Sequence, residues 1–310
     1  MRIFVCGHEL GLGFVIARRL AAEGHQVNIL TESEDLIPNF TKNRLNPVLG
    51  EITDDLPQRL LGKADAVIDA AFPFRFPKKR IHTAQLRPSL LKRILDSSNR
   101  VLVVTSHAAV LGDTGPLPAT EDATPHPMRG FSWALRLEEE ISQSSKLRVV
   151  IIRPAWRIHG PGQSLGIEVL SNWIPLSWRL KRGTYIGAGT NCFSAIHLED
   201  LAALYCLALQ KARDACVVHA AGENFSAKEV AASIHRAMRF KGEPKSIPLG
   251  EARRLTPVAD GLTRSHALSA DYAKSTLGWT PSRDSILRAI EHQAAVYAQA
   301  RRRKSLRRSR

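Results

Sequence analysis

The chain predicts an α/β fold, a doubly wound parallel sheet followed by a smaller C-terminal lobe. Three observations predict it. Short apolar runs of strand type alternate with amphipathic helical runs through the first half, the pattern of parallel strands joined by crossover helices. A glycine-rich turn, "CGHELGLG" at 6–13, lies directly between the first strand-like run and the first helical one. Beyond residue 163 the alternation gives way to irregular apolar segments and separate helices, which reads as an added lobe.

The elements follow in order. "RIFVCG" (2–7) reads as a buried strand and "FVIARRLAAEG" (14–24) as a helix closed by Gly24. "QVNIL" (26–30), "NPVLGEI" (46–52), "ADAVIDAAF" (64–72) and "RVLVVTSHA" (100–108) are the next strands, with "LKRILDSS" (91–98) on a helix between the last two. The run 128–141, "MRGFSWALRLEEEI", has helical spacing, and "LRVVIIRPA" (147–155) is a sixth strand. Six strands in this alternation make a doubly wound sheet. In the lobe, 167–180 is apolar with two tryptophans. Residues 226–238 form a helix introduced by a capping box of Ser226 with Glu229, and 269–281 and 285–300 supply the last helices. The chain shows no internal repeat.

Composition bounds the function. At 310 residues, 44% hydrophobic and 24% charged, this is an ordinary globular chain with a sizeable core. The beginning, "MRIFVCGHEL", has no signal-peptide core, and the apolar runs are too short to span a bilayer. Cys6, Cys192, Cys206 and Cys216 have neither metal-ligand spacing nor the density of a disulfide scaffold. Reduced thiols in a cytoplasmic protein, with no metal site, are expected. Part of the net charge of +15 lies in "RRRKSLRRSR" (301–310), with seven basic residues and no acid. Such a block predicts a disordered, solvated tail, which touches nucleic acid only nonspecifically.

Glycines at the end of a first strand permit a tight turn and close approach to a pyrophosphate, with the free amides of a helix start facing it. Here the spacing is Gly7-x-x-x-Gly11-x-Gly13. Together with "VLGEITD" (48–54), "DAVIDAA" (65–71), "VVTSHAAVLG" (103–112), "IIRPAWRIHGPG" (151–162), "SAIHLEDLA" (194–202) and "STLGWTP" (275–281), these residues resemble the short-chain dehydrogenase/reductase superfamily. The likeness is to its extended branch of NAD-dependent epimerases and dehydratases, and it covers nearly all of the chain except the basic tail. The glycine spacing itself looks like the single-domain branch, with Leu10 where extended members usually keep glycine.

The resemblance implies a Rossmann-type domain over 1–162 and a substrate lobe mainly over 163–300, with 186–215 returning to the core. It implies cofactor contacts from Gly7, Gly11, Leu12, Gly13, Glu32, Glu51, Ile52, Ala70, Ala71 and Thr105. An acid after the second strand takes the adenosine ribose hydroxyls, whereas a base accepts a 2′-phosphate. This chain has Thr31-Glu32-Ser33-Glu34 and no adjacent Arg or Lys, so NAD is expected over NADP. The partners implied are a nucleotide sugar or other polar small-molecule substrate and a second copy in a homodimer.

The resemblance also implies a Tyr-x-x-x-Lys pair after the fifth strand, a phenol tuned by a neighbouring cation for acid–base work. Alignment from the downstream acids puts Phe131 and Leu135 there, and a shift by one puts Ser132 and Arg136. No alignment restores a tyrosine, because the first in the chain is Tyr185. The substitutes are Ser106 and His107 at the strand end and Arg136 on the helix, with Arg157 and His159 placed to bind an anion. Two functions remain open. One is an NAD(P)-dependent oxidoreductase or epimerase-like enzyme with a non-standard acid–base group; the other is a catalytically silent dinucleotide-binding sensor or interaction subunit.

Overall fold

The computed structural model describes residues 1–7, 11–70, 78–95, 100–143, 147–160, 163–165, 173–212, 216–256 and 259–308. Seven strands form one wholly parallel sheet. They are β1 (Arg2–Cys6), β2 (Gln26–Thr31), β3 (Asn46–Leu49), β4 (Ala66–Asp69), β5 (Val101–Thr105), β6 (Arg148–Pro154) and, much later, Cys216–Ala220. Their order is Cys216–Ala220, β6, β5, β4, β1, β2, β3, so the winding reverses between β1 and β4. In such sheets the crevice outside the carboxyl ends at the reversal is the ligand site.

The strands read as continuous apolar runs because both faces are covered. On one face Ile3, Val5, Ile68, Val103 and Ile152 pack with helix α1 (Leu12–Ala22) and the helix Leu198–Lys211. On the other, Phe4, Val67, Leu102, Val104 and Ile151 pack with Leu61, Leu91, Leu95 and Ile141. Those four sit on α3 (Asp55–Lys63), α4 (Lys78–Leu95) and α5 (Ser132–Ser142), α2 being the short helix Ile37–Lys42. Arg18 of α1 donates to Glu199 at 2.6 Å, tying the two helices of the first face together.

The seventh strand was not among those expected. "CVVHA" is short and carries a histidine, and its place is fixed by pairing with β6 rather than by its own pattern. The lobe is built on a second sheet of β7 (Arg157–Gly160), β8 (Gln163–Leu165), β10 (Cys192–His197) and β12 (Glu223–Ser226), in the order β12-β10-β7-β8. A two-stranded pair, β9 (Thr184–Ile186) with β13 (Lys245–Ile247), lies beside it. The segment from β10 belongs to the lobe, and the chain rejoins the main sheet from Leu198 onward.

The capping box is present: Ser226 Oγ accepts from the Glu229 amide at 3.2 Å, while the Ser226 amide donates to Glu229 Oε2 at 2.6 Å. The basic tail departs from expectation. A single helix runs Ile286–Arg308, so 301–308 are helical rather than disordered. The reason is a ridge of Ile286, Ile290, Ala294 and Ala298, all buried in the lobe core, which anchors the helix up to the basic run. Arg302 then donates to the Met238 carbonyl at 2.7 Å. No helix among the described residues is long and apolar enough to cross a membrane.

Candidate active site

The carboxyl ends of β1, β2, β4 and β5 bring the expected cofactor residues to one edge. Gly7 leaves β1 at φ +84°, a left-handed conformation that a side chain resists. Gly11 caps α1, whose first turn holds Leu12 and Gly13 in the core. Residues 8–10, including Leu10, and the expected contact Ala71 lie outside the described residues. Glu32 is exposed just beyond β2, where Thr31 Oγ1 accepts from the Ser33 amide at 3.1 Å and shapes the turn. After β3, Glu51 is exposed and its amide donates to Asp54 Oδ2 at 2.8 Å, while Ile52 is buried. Ala70 continues β4 in the core, its amide on the Cys6 carbonyl at 2.8 Å.

A cation that the local sequence around strand two did not show arrives from α4. The Arg87 guanidinium pairs with Asp69 at 3.3 Å in a largely buried setting. Burial opposes its charge, but Asp69, Cys6 and Glu32 outweigh that and hold it charged. Two carboxylates, Asp69 and then Glu32, thus act on Arg87.

At the end of β5 the three candidates diverge. The Thr105 hydroxyl donates to the Asp69 carbonyl at 2.7 Å and meets the Tyr205 hydroxyl at 2.6 Å, with burial pushing that phenol above its ordinary range. Ser106 donates to Glu138. Glu138 in turn receives Arg153 twice, Nε to Oε1 at 3.0 Å and Nη2 to Oε2 at 2.5 Å. This triad of serine, carboxylate and guanidinium is buried, so the serine hydroxyl serves α5 docking. The inward side of α5 is Ala134, Glu138 and Ile141. Glu138, not its neighbour Glu139, is therefore the inward acid. Neither register places a tyrosine or lysine on the helix, and Arg136 is exposed on its outer side.

His107 goes elsewhere. It caps the short turn Ala108–Leu111, its Nδ1 accepting from the Ala109 amide at 2.8 Å. That bond occupies the Nδ1 lone pair, so the neutral ring carries its proton on Nε2. Burial, followed by His266, depresses its pKa to about 3. The ring stacks on Phe131, with centroids 4.9 Å apart at 18°, and meets Trp156 edge-on at 5.2 Å. Trp156 in turn meets His266 at 4.8 Å, and His266 Nδ1 is 3.1 Å from the Gly112 carbonyl. Phe131 and Trp156 are only half-buried, so they form the open side of an aromatic wall.

Arg157, next after Trp156, opens β7. It is 4% exposed, and its guanidinium carbon lies 4.2 Å from the centroid of Phe193. Neither Nε nor Nη1 has a hydrogen-bond acceptor. Burial drops its pKa to about 9. A cation–π contact returns about 0.5–2 kcal/mol, less than the several kcal/mol that burying an unpaired ion costs. On the same strand, His159 is held neutral near 4, by burial first and His197 second, and it lies 3.9 Å from Glu223. Arg157 and His159 were visible in "WRIH"; His266 was not, because it comes from a distant loop paired to β10 through Phe193. No cluster of metal-ligating side chains occurs among the described residues.

Comparison with known proteins gives this geometry a context. An uncharacterized protein of Schizosaccharomyces pombe is 28% identical over 304 residues, 95% of this chain and 99% of its own. The 3-diazoavenalumate denitrifying reductase of a Streptomyces species is 24% identical over 311 residues, 92% of this chain and 97% of its own. Among solved structures, UDP-glucose 4-epimerase of Thermotoga maritima with UDP-glucose superposes with a TM-score of 0.67 at 17% identity, covering 97% of this chain and 99% of the epimerase. The dTDP-glucose 4,6-dehydratase of Bacillus anthracis in complex with NAD gives 0.68 at 17%, covering 96% and 97%. These two likenesses establish the fold. The model of the NAD dependent epimerase/dehydratase family matches residues 3–221, and the chain belongs to that family.

Proposed function

We propose that the protein is an NAD-dependent oxidoreductase of a polar small molecule, working without a side-chain proton donor beside the nicotinamide. The observation that carries this reading is the state of His107. Its Nδ1 is engaged by the Ala109 amide and its ring is packed on Phe131. Burial keeps it uncharged down to about pH 3. A neutral imidazole held in this way does not cycle a proton near neutrality.

The glycine turn and the amides opening α1 would take the pyrophosphate. Glu32 would take the adenosine ribose, Glu51 and Ile52 would flank the adenine, and Ala70, Ala71 and Thr105 would lie along the path to the nicotinamide. The bound nicotinamide supplies or accepts a hydride. The chain's own work at that point is to exclude water and hold the acceptor flat, through Phe131, Trp156 and His107. Hydride delivery in this setting suits an acceptor electron-poor enough to need no concerted protonation, with water supplying any later proton. That one relative is named a reductase supports oxidoreduction over epimerisation.

The test is a pH–rate profile of NADH oxidation against a panel of quinone, imine and carbonyl acceptors. We expect kcat/KM free of any ionisation of His107 between about pH 5 and 8. A limb in that range that disappears in His107→Asn overturns the reading. NADH that binds with no turnover on any acceptor favours the silent sensor instead.

A further inference from the structure

Arg157 is a deeply buried cation with unsatisfied guanidinium nitrogens. Its guanidinium is 4% exposed with Nε and Nη1 unpartnered, whereas the other deeply buried arginine, Arg153, holds Glu138 in a two-point bond. Phe193 covers one face of Arg157 but accepts no hydrogen bond. The side chain is linked to the reaction edge by successive contacts. Its guanidinium lies over Phe193, Phe193 is bridged to His266, His266 meets Trp156, and Trp156 meets His107 and Phe131. A half-buried aromatic wall thus ends at an unpaired cation.

We propose that Arg157 anchors a carboxylate carried by an aromatic substrate, whose flat part lies along Trp156 and Phe131. The assignment rests on the proposed position of the active site at the end of β5. An arginine matches a carboxylate in shape and charge, and the aromatic wall offers edge and face contacts to a ring. A monoanion fits better than a phosphate monoester. Arg157 is the buried positive charge at this place, because His266 and His159 are kept neutral by their burial. The other charged groups acting on His266 are Asp113 and Arg264. Asp113 is held by the Gly115 and Ser265 amides, both at 3.1 Å, and Arg264 is exposed. Phosphate groups, with nearly two charges, generally draw several cations.

Isothermal titration of the full chain with cinnamate, cinnamamide and phenyl phosphate, each with and without NADH, tests the assignment. Cinnamate is expected to bind at least about tenfold more tightly than the amide, the worth of a charge-assisted hydrogen bond, and more tightly than phenyl phosphate. Arg157→Met should bring cinnamate down to the level of cinnamamide while NADH affinity stays the same. Its melting temperature should hold or rise, since an unpaired buried charge has been removed; Arg157→Lys should retain part of the preference and serves if the Met variant does not fold. Equal binding of acid and amide to the wild type overturns the proposal. So does a preference that survives in Arg157→Met, phenyl phosphate binding tightest, or no saturable binding by any probe. Failure of NADH to bind counts against the NAD-dependent function instead, and leaves the acid-to-amide comparison to decide Arg157 separately.

Discussion

Acidification from pH 7 to about 4.5 should unfold this protein largely through its buried histidines. His107 has its pKa lowered to about 3, and His159, His219 and His266 to about 4, in each case by burial first. Folded values below the unfolded value of 6.5 mean that the unfolded chain binds more protons. The stabilisation is therefore complete above about pH 6.5 and is lost as the pH falls toward the folded values. One pH unit is about 1.4 kcal/mol per proton, so each histidine loses on the order of 2–3 kcal/mol between about pH 6.5 and 4.5. Together the four lose on the order of 10 kcal/mol, comparable with the whole stability of a typical domain. Urea denaturation followed by far-UV circular dichroism at half-unit pH steps measures this directly. The same series on His107→Phe should show a shallower slope by about one proton in four, together with a pH-independent loss of about 1 kcal/mol from the uncapped Ala109 amide. A denaturation midpoint that stays flat from pH 6.5 to 4.5, or an unchanged slope in the variant, refutes the argument that burial holds these rings neutral.

Three further outcomes follow from the geometry. Glu138→Gln leaves Arg153 as a buried unpaired charge and should cost about 3–5 kcal/mol, read as a lower urea midpoint with an unchanged m-value. Gly7→Ala forces a side chain into φ +84° at the phosphate-binding turn. It should cost about 1–2 kcal/mol and weaken NADH binding by far more than that stability loss explains, as read by fluorescence titration. Ser226→Ala removes the hydroxyl that accepts from the Glu229 amide and should cost about 1 kcal/mol, with no change in NADH affinity.

The parallel sheet was legible because fully covered strands leave unbroken apolar runs, and because the glycine turn marks the strand that starts the winding. Two features escaped for reasons of the same kind. "CVVHA" is too short to declare itself, and its partner β6 fixes it from outside. The end of the last helix was concealed by charge: seven basic residues read as a solvated tail, while the apolar ridge Ile286, Ile290, Ala294 and Ala298 anchors the helix that runs on into them.

At the site, residue type was legible but pairing was not. Both the absence of a tyrosine along the first 184 residues and the place of His107 at the strand end could be read directly. What each side chain does there depends on neighbours far away in the chain. Ser106 is drawn inward by Glu138 and Arg153. Thr105 is drawn to Tyr205 a hundred residues later. His107 is fixed by its own turn and by Phe131. The run 128–141, which supplies α5 (Ser132–Ser142), can be read the same way: its acids at 138, 139 and 140 are equivalent in sequence, and Glu138 meets a buried arginine. That pairing joins Ala134 and Ile141 on the side of α5 that faces the sheet, and Phe131 stands half-buried at the start of the helix. Phe131 thus belongs to an aromatic wall with His107 and Trp156, and Arg157, whose Nε and Nη1 lack acceptors, follows Trp156 on β7.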